Sequence, residues 1–184
     1  MSDLWKELLS REAPALDGIL ELNRVRVTRD VSNMEVSFYA SRLLTGDEIN
    51  NIRNAFAGAF TGTKISIVIS YPALSGDVRA SIKSYVPFLI DVLAHSQPAC
   101  RGFLANTEWR LDNDRLTIRT ENESDVSYLK ANEIPARLRK IIRDLFGIEC
   151  EAEVLVNTSP IFITPPMTAM DAETSEVISQ MFDD

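Results

Sequence analysis

Met34-Glu35-Val36-Ser37-Phe38-Tyr39-Ala40 alternates Met34, Val36, Phe38 and Ala40 with Glu35, Ser37 and Tyr39, the two-residue period of a strand with one buried face. Just upstream, Val25 and Val27 alternate with Arg24, Arg26 and Thr28, and Asp30 to Asn33 supplies a polar turn. Together these predict a hairpin whose first strand exposes a basic side. Downstream, Thr45-Gly46-Asp47-Glu48 is a capping box, in which Thr and Glu satisfy each other's backbone amides at a helix start. That helix sets Ile49, Ile52, Phe56 and Phe60 on one stripe with Ala55 and Ala59 alongside, and Gly62 stops it. Ile65, Ile67, Ile69 and Tyr71 then form a third strand, so the unit reads ββαβ.

The same order recurs. Trp109 and Leu111 pair through the turn Asn113-Asp114 with Leu116, Ile118 and Thr120. Asn122-Glu123 opens a helix carrying Val126 and Leu129; Pro135 opens another with Leu138, Ile141, Ile142 and Leu145, closed by Gly147. The last strand has Ile148, Cys150, Ala152, Val154 and Val156 inside and Glu149, Glu151 and Glu153 outside. Between the two units, Asp77 to His95 reads as helical with a break or kink after Val86 at Pro87, and Pro98 begins a short helix through Phe103 and Leu104. At the start, Leu4, Trp5, Leu8 and Leu9 have helical spacing up to Ala13-Pro14. This segment suits a helix packed on the body, a docking peptide or the remnant of an upstream region.

A chain of 184 residues, 45% hydrophobic, can support a core. It has no apolar run of the ~18 residues that span a bilayer. The start, Met1-Ser2-Asp3-Leu4-Trp5-Lys6, has no export signal, and two distant cysteines read as reduced thiols of an intracellular, cytoplasmic protein. The net charge is -8, from 27 acids and 19 bases. Five acids (Asp171, Glu173, Glu176, Asp183, Asp184) follow Asn157, where there is no Lys or Arg, so Met1 to Val156 carries 22 acids against 19 bases, or -3. A body this close to balance disfavours dominant attraction to DNA phosphates and leaves room for a local basic patch. The organisation expected is a lead-in over 1–22, an α+β body over 23–156 with subunits at about 23–72 and 77–156, and an acidic linker or tail over 157–184.

Chemistry-bearing clusters are few. His95 has no second histidine or acid at ligand spacing, Asp112 and Asp114 fit a turn, and Glu149, Glu151 and Glu153 fit a solvated sheet face. Thr61-Gly62-Thr63-Lys64 follows a helix, so its amides point the wrong way for a phosphate loop. No catalytic residue, metal, cofactor or small-molecule ligand is expected, and a stand-alone enzyme has no supporting constellation. Two basic groups remain: Arg137, Arg139, Lys140 and Arg143 on one helix, and Arg24, Arg26 and Arg29 on the first strand. Each reads as a solvated face, or as a contact for nucleic acid or an acidic partner. Gln180-Met181-Phe182 faintly suggests a sliding-clamp peptide with incomplete spacing.

From Glu108 to Val156, strand, strand, helix, helix and strand, preceded by a helix, resemble a type II KH domain. That module grips single-stranded nucleic acid with a GxxG loop, whereas here the junction Lys130-Ala131-Asn132-Glu133-Ile134-Pro135 has no glycine. More broadly, Leu20 to Val156 resembles the second N-terminal region of the PolC-type DNA polymerase III alpha subunit of low-GC Gram-positive bacteria. The likeness runs through Val25-Arg26-Val27, Met34 to Phe38, Leu43-Leu44, Ala55-Phe56 and Ile65 to Ile69. It continues through Tyr85-Val86-Pro87, Ser96-Gln97-Pro98, Asp114 to Ile118, Asn122-Glu123, Leu129-Lys130 and Leu145-Phe146-Gly147.

The resemblance implies a segment of a much longer DNA-directed DNA polymerase with 3′–5′ exonuclease, whose catalytic regions lie outside this chain. The expected fold is α+β, two ββαβ units joined by helices, the second half KH-like without the GxxG loop. The expected function is a non-catalytic accessory domain making protein contacts in the replisome, with the clamp-loader tau subunit or other polymerase regions. The alternative is a KH-like module for single-stranded DNA using the basic helix.

Overall fold

The computed structural model describes residues 2–157. The acidic segment and Gln180-Met181-Phe182 lie outside them. The fold is α+β, with two three-stranded sheets of identical topology. In the first, β1 (Leu20–Val27) pairs antiparallel with β2 (Asn33–Ala40), and β2 pairs parallel with β3 (Lys64–Ser70). In the second, β4 (Glu108–Asp112) pairs antiparallel with β5 (Arg115–Thr120), and β5 pairs parallel with β6 (Glu151–Val156). The middle strand of each sheet is thus the second in sequence, and the parallel step requires a crossover, supplied by helices.

In the first unit the crossover is α2 (Gly46–Ala59). Its capping box is present: Glu48 N–H donates to Thr45 Oγ1 at 3.3 Å, and Thr45 N–H donates to Glu48 Oε2 at 2.8 Å. Ile52 and Phe56 are fully buried, and Phe56 meets Phe38 edge-on at 5.8 Å. Ala59 is exposed rather than part of the apolar stripe. The opening helix α1 (Ser2–Glu12) packs on α2, where Trp5 stacks on Phe56 at 5.3 Å and on Phe60 at 5.5 Å. Offset aromatic pairs of this kind add about 0.5–1.5 kcal/mol each beyond area burial.

Strand β1 is longer than the alternation around Val25 suggests, beginning at Leu20, and its register slips between Leu22 and Arg24. The slip has a reason. Leu20 and Leu22 would face opposite to Val25 and Val27 in a regular strand, because side chains alternate with period two. One extra residue, Asn23, restores the phase: Leu20 pairs with Ala40, Leu22 with Phe38, Val25 with Val36 and Val27 with Met34. Val27, at the open end of the sheet, nevertheless remains 48% exposed.

Between the sheets run α3 (Ser75–Ala80), a 3₁₀ turn over Ile82–Tyr85, α4 (Val86–Ala94) and α5 (Cys100–Leu104). The helical stretch breaks at Ser81, which leaves the helical region at φ -145° and ψ 59°, not after Val86. Pro87 sits inside the first turn of α4, where its missing N–H has no intrahelical partner to lose. The second crossover is α6 (Glu123–Ala131) followed by α7 (Ile134–Phe146). Helix α7 buries Ile134, Leu138, Ile142 and Phe146, and Gly147 ends it in the left-handed region at φ 68°. The final strand β6 starts at Glu151, so Ile148 and Cys150 are buried in the approach to it.

The halves share one core. The Phe146 ring lies 6.0 Å from Tyr71, 5.7 Å from Tyr85 and 6.3 Å from Phe88, and Tyr71 N–H donates to the Leu145 carbonyl at 2.5 Å. Arg79 also reaches across to the β4–β5 turn, donating to Asn113 O at 2.7 Å and Asp114 Oδ1 at 3.0 Å. Among the described residues no helix is long and apolar enough to cross a membrane.

Candidate partner-binding surface

Each sheet packs one face against helices and leaves the other open. On the second sheet, register sets Glu108, Arg119 and Leu155 in one row, Arg110, Thr117 and Glu153 in the next, and Asp112, Arg115 and Glu151 in the last. Opposite charges therefore meet along and across the strands. Arg110 pairs with Asp112, Arg115 with Glu153 at 3.8 Å, and Thr117 Oγ1 donates to Glu153 Oε1 at 3.2 Å. The acids of the turn and of the last strand are thus side chains with cationic neighbours on a charge-matched surface.

The open face of the first sheet is built differently. Its rows are Glu21, Tyr39 and Ser70; Arg24, Ser37 and Val68; Arg26, Glu35 and Ser66; and Asn33 with Lys64 at the end. Tyr39 is 39% exposed and Val68 43%, on adjacent strands one row apart. Arg26 donates to Glu35 at 3.4 Å, while Arg24 and Lys64 have no ion pair among the described residues. The exposed ring and valine give this face apolar surface to bury, and Arg24 and Lys64 leave it charges that an acidic partner can pair, whereas the charges of the second face are already matched.

The basic residues singled out by sequence divide in two. On α7, Arg139 donates to both carboxylate oxygens of Glu151 at 3.2 and 3.0 Å, and Arg143 pairs with Asp144 at 3.3 Å. Arg137 and Lys140 are exposed and have no ion pair among the described residues. Arg24 and Arg26 stand on β1, an edge strand, while α7 meets the first sheet at β3, the other edge. The structure does not merge the two groups into one patch. Between α6 and α7 the chain turns at Glu133, left-handed at φ 56°.

Sequence reasoning missed Tyr39 and Val68 as a pair. The signal was there: Val68 falls out of phase with Ile65, Ile67 and Ile69, and Tyr39 out of phase with Phe38 and Ala40. His95 is exposed at the end of α4, its Nδ1 2.8 Å from the Asp91 carbonyl. Both cysteines are buried free thiols, and burial pushes each thiol up from its usual range. Among the described residues no cluster of His, Cys, Asp and Glu is placed to hold a metal ion.

Comparison with curated proteins gives no match. A family model described as DNA polymerase III polC-type N-terminus II matches residues 84–163. The matched stretch opens just before α4 and takes in the whole second sheet and its crossover helices; the first sheet lies outside it. Over residues 84–163, then, the chain is similar to the N-terminus II region of PolC-type DNA polymerase III.

Proposed function

We propose that this is a non-catalytic accessory domain of a PolC-type DNA polymerase III alpha subunit, making protein contacts within the replisome. The family match over 84–163 carries this reading. The open face of the first sheet supports a protein partner: Tyr39 and Val68 supply exposed apolar surface, and Arg24 and Lys64 supply charge to orient it. Aromatic anchors ringed by polar groups are how protein interfaces concentrate their affinity.

Titration of the chain with purified replisome proteins, the clamp-loader tau subunit and other polymerase regions first, tests this. A saturable complex weakened about tenfold or more by Tyr39→Ser with Val68→Asp, on the order of 1.4 kcal/mol, is the expected result. No complex with any replisome protein would overturn it. A second reading, a single-stranded DNA module, rests on the exposed pair Arg137 and Lys140 on α7. It requires oligonucleotide binding that weakens steeply with salt and is lost on Arg137→Glu with Lys140→Glu.

A further inference from the structure

The open face of the first sheet offers what one segment of this chain has in complement. Asp171 to Asp184 holds five acids, no Lys or Arg, and the apolar residues Val177, Ile178, Met181 and Phe182 among them. The face sets Arg24, Arg26 and Lys64 against two acids, Glu21 and Glu35, and adds exposed Tyr39 and Val68. The second sheet's face has the opposite balance, Arg110, Arg115 and Arg119 against Glu108, Asp112, Glu151 and Glu153. Helix α7 has unpaired cations, but none of the large exposed apolar residues lies on it. Among the described surfaces, the first sheet's face alone joins an excess of cations to exposed apolar side chains.

Reach does not limit the contact. Residues 158–170 separate Asn157 from Asp171, a stretch that can span ~40 Å, comparable with the diameter of a domain of this size. A tethered segment also meets the face at an effective concentration in the millimolar range, so weak complementarity suffices. We infer that the acidic segment Asp171–Asp184 docks in cis on the open face of β1, β2 and β3, its acids toward Arg24 and Lys64 and its apolar residues toward Tyr39 and Val68. Resting on the reading of this face as a protein-docking surface, the contact makes the segment a competitor that an incoming partner must displace.

The test is paramagnetic relaxation in the full chain carrying Ser179→Cys, spin-labelled at that position. Buried Cys100 and Cys150, with thiols pushed up by burial, resist the label. The expected result is that the amides of Ser37, Tyr39 and Val68 lose about half their intensity or more at low salt, and recover near 1 M salt, where the screening length is ~3 Å. Arg24→Glu with Lys64→Glu, both exposed positions, should also restore them. No loss at these amides overturns the proposal, as does loss confined to Arg137–Arg143. Loss seen only when labelled and isotope-enriched chains are separate molecules overturns the contact in cis. Partner titration is read independently, so failure of the cis contact leaves the docking face standing, and failure of the docking face leaves the relaxation result to be judged on its own.

Discussion

Two sheets with the same strand order and pairing carry opposite kinds of open face. The second exposes rows of matched acids and arginines, with Leu155 at one end; the first exposes Tyr39 and Val68 side by side among three serines and unpaired Arg24. Topology thus decides where an outward face lies, and the out-of-phase residues of each strand decide what it is for. A charge-matched ladder is content in water, because cross-strand pairs on an exposed face are worth only about 0.2–1 kcal/mol and would have to be desolvated for a partner to dock. A face with exposed Tyr39 and Val68 instead gains when a partner covers that apolar surface. The family match falls on the half with the matched ladder, while the half with the open apolar face lies beyond it.

The largest effect is expected at Phe146, where Phe146→Ala should cost about 3–5 kcal/mol. Because Phe146 joins the halves, urea transitions reported by Trp5 and by Trp109, each observed with the other tryptophan replaced by Phe, should stay coincident; separated midpoints would make the sheets independent units. Deletion of Asn23 should turn the half-buried Leu20 and Leu22 onto the open face and cost about 2–4 kcal/mol, less than two full leucine burials. Asn23→Ser should stay within about 0.5 kcal/mol. Urea unfolding followed by Trp5 emission measures both, and a deletion of unchanged stability would show that strand phase does not set this face.

The charge ladder is the next target. Arg115→Glu puts a third acid beside Asp112 and Glu151 and should cost about 1 kcal/mol, whereas Val68→Thr on the other face should change stability by less than about 0.5 kcal/mol. Thermal unfolding of the two variants decides; equal effects would erase the distinction drawn between the faces. Helix starts give a finer contrast. Thr45→Ala should cost about 1 kcal/mol, and Asn122→Ala only a few tenths, since the Asn122 side chain bonds Asp125 and makes no cap bond to the backbone.

The smallest effect is a pH dependence. Arg42, donating to both Glu48 oxygens at 3.0 and 2.6 Å, and then the Thr45 amide hold the Glu48 carboxyl down from 4.5 to about 2. A carboxyl lowered by folding binds its proton more readily when unfolded, so its contribution is present above pH ~4.5 and fades as pH falls toward 2. Stability measured from pH 6 to 2 should therefore drop less in Glu48→Gln than in the parent chain. Parallel curves would remove Glu48 from the account.

Much of this fold was legible in the chain because period and punctuation agree. Met34 to Ala40, the Thr45 box, the Asn113-Asp114 turn and the stripe Leu138, Ile142 lie where their spacing puts them. Two features were harder. The phase slip between Leu22 and Val25 is written in the sequence, but it looks like the end of a strand until pairing with β2 shows both sides continuing. Proline ends helices, which points to Pro87 as the break, yet it is equally at home in a first turn, and only the non-helical backbone of Ser81 tells the two apart. The candidate site was less legible. Four bases on α7 were plain, but the pairing of Arg139 with Glu151 depends on where β6 lies, and no spacing along the chain announces it. The exposed pair Tyr39 and Val68 exists only once β2 and β3 are in register.

Asn23 has one more effect. Strand β1 is the outer edge of its sheet, and an unpaired edge is a template on which another molecule's strand can grow. An inserted residue throws the free amides and carbonyls on that edge out of step halfway along, while Arg24 and Arg26 repel an identical edge brought alongside. The irregularity that keeps two leucines inside thus also hinders the copies from zipping together into fibres.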